Sequence, residues 1–370
     1  MKRLVLVGGG HAHLSVLEAL ARARPAGVEA VLVTPSPFQI YSGMLPGWMA
    51  GHYERTQCQI DLRPLARAAR VQTVTDRVAG MQAGQHCVLL PDGRRIEYDL
   101  LSLDVGSEIA ASSLQMAGTK LLPVKPLDGF FAAWPRVLAA ARDKAAYRLV
   151  VVGGGAAGVE LALAAQYALS RQGNDRCVDL VVSESGLLAA HAAGVQRRVA
   201  HCLASAGVRV HRQQGSGVEA GVMLSDGTLL PADCVIAATG ARAPDWIACT
   251  GLGLDRNGYI SVDGCYRSES HANVFAAGDV SARRDVAVAR SGVHAVHAGP
   301  VLAANLLAAL HGGASRAYLP RRHSLYLLAC GPRYAIASWG RFSAQGAWVW
   351  RWKDYIDRGF VRRFELKPAP

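Results

Sequence analysis

The sequence predicts an α/β protein of two similar units, one inserted in the other, with a small unit at the C-terminus. Three observations predict it. Two apolar, β-branched runs, residues 4–7 and 149–152, each break at a glycine cluster and resume as a helix-like stretch. Each is followed by an Asp-Gly hairpin and a strand ending in glycine, LSLDVGS in one half and IAATGAR in the other. Such a repeat is more informative than either glycine cluster alone. A content of 51% hydrophobic residues and 39 glycines in 370 residues suits several buried cores rather than one.

The elements follow in order. The first unit reads as strand 3–7, helix 11–23 and strand 28–34. The irregular stretch PSPFQIYSGMLPGWMAGHY comes next, then a short helix near 62–69 and a strand near 71–79. Asp92-Gly93 turns a hairpin. A helix near 127–143 leads to the second strand–glycine–helix unit, 148–170, then strand 178–183, helix 194–206, strand 208–211 and a second hairpin at Asp226-Gly227. Beyond 246 stand HANVFAAGDVSA, a long small-residue helix over 292–310, and a C-terminal unit from about 316.

Composition excludes several classes. The net charge of +12 comes without a long Lys/Arg block or an aromatic–basic RNA motif, so anionic ligands or an anionic surface are expected rather than nucleic acid. Residues 149–169 carry one charge, Glu160, and a hydropathy scan reads a membrane helix. The three glycines and the β-branched run argue instead for a buried strand, turn and helix. The opening MKRLVLVGGG is too short an apolar run for a signal peptide. Eight scattered cysteines, none in a CxxC, suggest reduced thiols and a cytoplasmic location.

The second glycine cluster has the full dinucleotide-binding spacing, Gly153-x-Gly155-x-x-Gly158. The first glycine permits the tight turn, the second admits a pyrophosphate, and the third serves helix–strand packing at a helix N-terminus of positive dipole. The first cluster keeps Gly8 and Gly10 but has His13 in the third place, which implies a slightly displaced helix or a small neighbour. His11 reads either as an ordinary N-terminal helix residue or as a neighbour of the pyrophosphate or flavin. The position of the acidic ribose partner holds Thr34 in the first unit, whereas the second offers Ser183 and then Glu184. Glu184 suits a 2′-hydroxyl and repels a 2′-phosphate, which favours NADH over NADPH.

At VFAAGDVSA the sequence resembles the pyridine nucleotide-disulfide oxidoreductase superfamily of FAD/NAD(P) oxidoreductases with two dinucleotide-binding domains. Phe275 to Asp279 match its second FAD signature, and ATGAR at 238–242 its returning strand. LDVGS at 103–107 resembles that strand's counterpart, with Asp104 and Val105 where Ala-Thr is usual. The cysteine pair of the disulfide reductases has no counterpart in YSGMLPGWMAGHY. Within the superfamily the chain is most similar to type II NADH dehydrogenases. GGGHAH, SGVHAVHAGPVLAANL and WRWKDYIDRGFVRRF resemble the NADH-dehydrogenase-like flavoproteins associated with selenide, water dikinase.

The resemblance implies two Rossmann-like domains, FAD-binding over 1–115 and 246–315 and NAD(P)H-binding over 116–245, with 316–370 as an interface or membrane-contact unit. It implies FAD contacts at Gly8, Gly10, His11, Thr34, Ser42, Gly43, Met44, Val78, Asp104, Gly106, Gly278, Asp279 and His294. Asp279 would bond the flavin ribitol. NAD(P)H would meet Gly153, Gly155, Gly158, Glu184 and Gly240. Glu160 is expected near flavin and nicotinamide as a proton relay with a raised pKa, or else as a helix-dipole partner. Lys125 is expected to stabilise the reduced flavin, facing Glu160, or to be a solvated lysine.

Near the end, Trp352, Tyr355, Ile356, Phe360 and Phe364 fall at helical spacing among arginines. This reads as a stripe on an anionic membrane surface or packed on the FAD domain, with Gly359 weakening the helix. The expected function is electron transfer from NADH through FAD to a small-molecule acceptor, foremost a quinone. Peripheral contact with the inner face of the cell membrane and a homodimer are the expected associations. The rivals are a sulfide- or selenium-linked oxidoreductase, for which Cys330 is the late thiol, and a flavin-binding partner or sensor without turnover.

Overall fold

Residues 1–173 and 175–365 are described by a computed structural model. Two five-stranded parallel sheets carry the molecule. The first places Lys2–Val7 at its centre, Val28–Thr34 and Val71–Thr75 on one side, and Leu100–Leu103 and Val274–Ala276 on the other. The second repeats the plan, with Tyr147–Val152 central, Arg176–Val182 and Arg209–Arg212 on one side, Cys234–Ala237 and Leu121–Pro123 on the other. The edge strand Val274–Ala276 follows the whole second unit in the chain, so the second sheet is an insertion into the first. Each sheet has a three-stranded antiparallel companion built around its Asp-Gly hairpin. Glu108–Ile109 and Ala241–Arg242 pair where the chain passes between the halves.

The apolar runs make these strands because both faces are covered. Leu4, Val5 and Leu6, and likewise Leu149, Val150 and Val151, are fully buried. Around the sheets lie α1 (His11–Ala23), α2 (Leu45–Met49), α3 (Leu62–Ala68), α4 (Leu127–Asp143), α5 (Ala156–Ser170), α6 (Ala193–Ser205), α7 (Gly292–His311) and α8 (Ala347–Phe364). The strand expected to reach residue 79 stops at Thr75. There Asp76 turns back to bond the carbonyls of Thr34 and Val74, and Val78 falls in the loop beyond.

The two glycine turns differ in a way that explains His13. A Cβ on Gly158 would lie 1.9 Å from the Gly153 carbonyl oxygen, so α5 admits no side chain there. The imidazole of His13, by contrast, is buried between the Gly8 carbonyl oxygen (Nδ1, 2.6 Å) and Ser102 Oγ (Nε2, 2.8 Å). The ring replaces the close helix–strand packing of a glycine with two buried hydrogen bonds. On its other side α1 meets α7 at Gly299, where a Cβ would come within 2.7 Å of Ser15 Oγ. α7 is long and apolar enough to cross a membrane, yet Leu302, Ala303 and Leu306 are buried in this core.

The C-terminal unit is an antiparallel sheet, Leu325–Ala329, Ala335–Trp339 and Phe342–Gly346, with α8 laid on it. The expected apolar stripe divides. Phe364 is buried and Phe360 half-buried, whereas Trp352 (40% exposed), Tyr355 (73%) and Ile356 (38%) face outward. The inner face is completed by Val349, Trp350 and Val361. Gly359 does not end the helix, which runs on to Phe364.

Gly158→Ala is expected to destabilise the chain by about 3 kcal/mol in urea unfolding, because the methyl group strikes backbone that cannot move aside. Ala157→Gly, one position earlier, is expected to cost only about 1 kcal/mol.

Candidate active site

The strand ends, the α1 turn and the start of α7 enclose a cavity of about 980 Å³. Gly8 to His11, Thr34, Gln39, Ser42, Val78, Asp104, Gly106, Lys125, Gly278, Asp279, Gly292 and Trp246 are among its walls. At its base lies Asp104. Its Oδ2 accepts the N–H groups of Ala12 (2.8 Å) and His13 (3.0 Å), the first free amides of α1. Burial raises its pKa to about 7 against the pull of those two bonds. A Cβ on Gly10 would fall 2.3 Å from this carboxyl carbon, and one on Gly278 2.6 Å from Oδ1. These glycines are bare because the carboxylate needs the space.

Asp279 holds one oxygen against Lys125 Nζ at 2.8 Å and Ser107 Oγ at 3.2 Å. Lys125 also bonds Ser107 Oγ at 2.9 Å. Its carboxylate partner is therefore Asp279, not Glu160 as the sequence suggested. His11 lies in the wall with its Nε2 closed to solvent and, among the described residues, without a hydrogen-bond partner. Burial lowers its pKa to about 4, so the ring is neutral. Ser291 Oγ and His294 Nδ1, at the start of α7, are likewise buried without partners.

Other expected contacts lie elsewhere. Met44 is fully buried in the core, and Gly43 presents its carbonyl to Lys353 rather than to the cavity, leaving Ser42 as the wall residue of that segment. Thr34 stays in the wall but turns its hydroxyl away, donating to the Ser36 carbonyl at 3.1 Å. In the second unit Gly153, at φ +141°, packs on the Ala238 carbonyl, and Gly155 leads into α5 with open space beside it. Glu184 is exposed just past the strand Arg176–Val182, and Gly240 is exposed past Cys234–Ala237.

Glu160, on α5, turns toward the C-terminal unit. Its Oε1 accepts the Ala329 N–H at 2.8 Å. Burial raises its pKa to about 7, opposed by the charge of Lys353. Lys353 is a buried cation the sequence reading passed over. Its Nζ donates to the Gly43 carbonyl and to Asp357 Oδ2, both at 2.7 Å. Phe360, two turns beyond Lys353 on α8, stacks on Tyr41 at 4.6 Å and lies 5.9 Å from His11. The available signal was the i, i+4 Lys-Asp pair inside an aromatic helix, which reads as a surface pair when the helix is seen alone. Cys330 is buried, and the adjoining Cys202 thiol together with burial pushes its pKa up.

Residues 2–299 match the pyridine nucleotide-disulphide oxidoreductase family. The chain belongs to that family. It is 29% identical over 304 residues to a NADH dehydrogenase-like protein of Mycobacterium tuberculosis, covering 77% of this chain and 74% of that one. The fold is that of NDH2 from Plasmodium falciparum solved with NADH (TM-score 0.81, 12% identity, 98% of each chain covered). It is also that of the sulfide:quinone oxidoreductase of Aquifex aeolicus (TM-score 0.80, 16% identity, covering 100% of this chain and 93% of that one). The family member described here is an NAD(P)H oxidoreductase that binds FAD and NAD(P)H. The first cavity fits a flavin dinucleotide in chemistry. It joins the Gly8–Gly10 turn and the Lys125 cation with the His11 Nε2, which among the described residues has no partner.

Because its folded pKa stands above the ordinary 3.8, Asp104 makes the folded state bind a proton that the unfolded state releases. Its contribution to stability therefore falls as pH rises from about 4 to about 7. Asp104→Asn should flatten that part of a stability–pH curve measured by urea unfolding. Asp104→Ala, which leaves two buried N–H groups unpaired, should cost about 2–3 kcal/mol near pH 4 and less as pH rises toward 7.

Proposed function

We propose that the enzyme takes electrons from NADH and passes them to a quinone while lying on an anionic membrane surface on the inner face of the cell membrane. One observation carries this reading. α8 holds the segment that lines the first cavity, through Lys353 and Phe360, while showing Trp348, Trp352 and Tyr355 to the outside. A helix in contact with both the cofactor wall and the surroundings suits an acceptor that dissolves in lipid. Relatives support the acceptor class: one is named an alternative NAD(P)H-ubiquinone oxidoreductase, from Arabidopsis thaliana.

Bound FAD supplies the hydride acceptance and electron release of the reaction. The chain supplies place and charge. Residues 1–115 and 246–315 hold the flavin, with Asp279, fixed by Lys125 and Ser107, as the ribitol partner. Residues 116–245 hold NADH, with the α5 turn on the pyrophosphate and Glu184 on the ribose hydroxyls. Tyr41 and Phe360 pack behind His11, which lines the cavity. Glu160 has a pKa near neutrality and holds a proton between the nucleotide domain and the C-terminal unit.

Anaerobic stopped-flow mixing of the yellow protein with each nucleotide tests the donor. Fast bleaching by NADH and slow bleaching by NADPH is the expected result; a flavin left oxidised by both overturns the reading. A quinone panel then tests the acceptor. Cys330→Ser separates the sulfide- or selenium-linked alternative, because unchanged turnover with quinone removes any need for that thiol. Glu160 is protonated below pH about 7 and loses its proton above it. Glu160→Gln should accordingly lower quinone turnover about 100-fold and erase the fall in rate above neutral pH, while bleaching by NADH stays fast.

A further inference from the structure

A second cavity, of about 360 Å³, opens between α8, the loop after α2 and the turn that joins Leu325–Ala329 to Ala335–Trp339. Its walls are aromatic. Trp350 stands 5.1 Å from the ring of His52 and 5.9 Å from that of Tyr53. Its charges are Arg333, Arg351, Arg358 and a single carboxylate, Asp354. Arg358 Nε bonds Asp354 at 2.8 Å, and its guanidinium lies over the Tyr53 ring at 5.1 Å. Among the described residues Arg333 and Arg351 have no carboxylate partner. His52 adds no charge: its Nε2 bonds the Gly331 carbonyl at 2.8 Å, and burial, with Arg333 and Arg171 nearby, keeps its pKa below the ordinary value. The rim therefore offers two unanswered guanidiniums, whose forked donors match the oxygens of a phosphate.

The position of this rim on α8 selects the kind of phosphate. Arg351 adjoins Trp352 in sequence and lies one turn from Trp348. Those two indoles are 6.4 Å apart and stacked, with 40% and 56% of their surface exposed. Tyr355, 73% exposed, extends the same face. Indole and phenol side chains settle at the level of lipid headgroups, and arginines beside them meet the negative leaflet. With the aromatic face at that depth, the mouth of the cavity stands in the phosphate layer. We propose that this cavity receives the phosphate of an anionic phospholipid headgroup. The proposal rests on the peripheral membrane contact proposed above and gives that contact a lipid preference.

Co-sedimentation of the full, FAD-loaded chain with vesicles of phosphatidylcholine, with and without phosphatidylglycerol, tests it. The wild type should bind the phosphatidylglycerol vesicles more tightly. Each arginine near an anionic surface is worth about fivefold in partitioning, so R333A/R351A should lose on the order of 25-fold of that advantage. Its binding to phosphatidylcholine alone should not change. The double variant R67A/R136A removes equal charge outside the cavity and should keep the preference; an equal loss there would reduce the effect to net charge and overturn the pocket. An unaltered preference in R333A/R351A overturns the pocket while leaving membrane contact standing. Absence of wild-type binding to either vesicle, with W348S/W352S no different, overturns both. Saturable quenching of tryptophan fluorescence by inorganic phosphate, without a phosphatidylglycerol preference, would assign the site to free phosphate and overturn the lipid.

Discussion

The carboxylate of Asp104 is the constraint on which the cofactor cavity depends. It is nearly sealed from solvent, and it answers the two backbone amides that α1 would otherwise leave unpaired at its start. A buried carboxylate is tolerable only where such donors converge on it. Its volume then dictates its neighbours. Gly10 and Gly278 have no room for a side chain beside the carboxyl group, and Gly8 has none beside the Asp104 carbonyl. Two glycine signatures far apart in sequence thus meet over one side chain, and the sheet end, the start of α1 and the approach to Asp279 are fixed together.

From this point the structure extends in two directions. Through Gly278 it reaches Asp279, whose bonds to Lys125 and Ser107 tie the late signature to the crossover between the domains. Through α1 it reaches His11 and then Tyr41 and Phe360, so that α8 packs behind the cavity wall as well as on the C-terminal sheet. The buried Lys353–Asp357 pair strengthens that attachment, because Lys353 would be a costly buried charge without Asp357 and the Gly43 carbonyl. α8 therefore presents three faces: one in the core, one of outward aromatic rings, and between them the arginine-rimmed pocket.

The family and its FAD and NAD(P)H chemistry follow from the two nucleotide turns and their order, which the matched residues 2–299 include. The C-terminal unit lies beyond that match. Two solved structures, one named for sulfide and quinone and one solved with NADH, share the fold at 12–16% identity.

By itself the sequence determined the order of strands and helices, the two glycine turns, the inserted second unit and the family. All of these rest on short-range rules: apolar runs that need cover, glycines at tight turns, and a motif repeated in order. It also marked Asp104 and Asp279 as residues of the site, though not what they hold. Only the tertiary structure decided partners. Lys125 found Asp279, 154 residues away, and Glu160 found the backbone of Ala329, 169 residues away. It also turned Phe360 and Phe364 inward and Trp352 and Tyr355 outward on one helix that reads as a single stripe. The physical reason is common to these cases. Helical spacing and residue type fix which side chains share an element, but burial and charge pairing depend on which surface arrives opposite, and distant parts of the chain supply that surface.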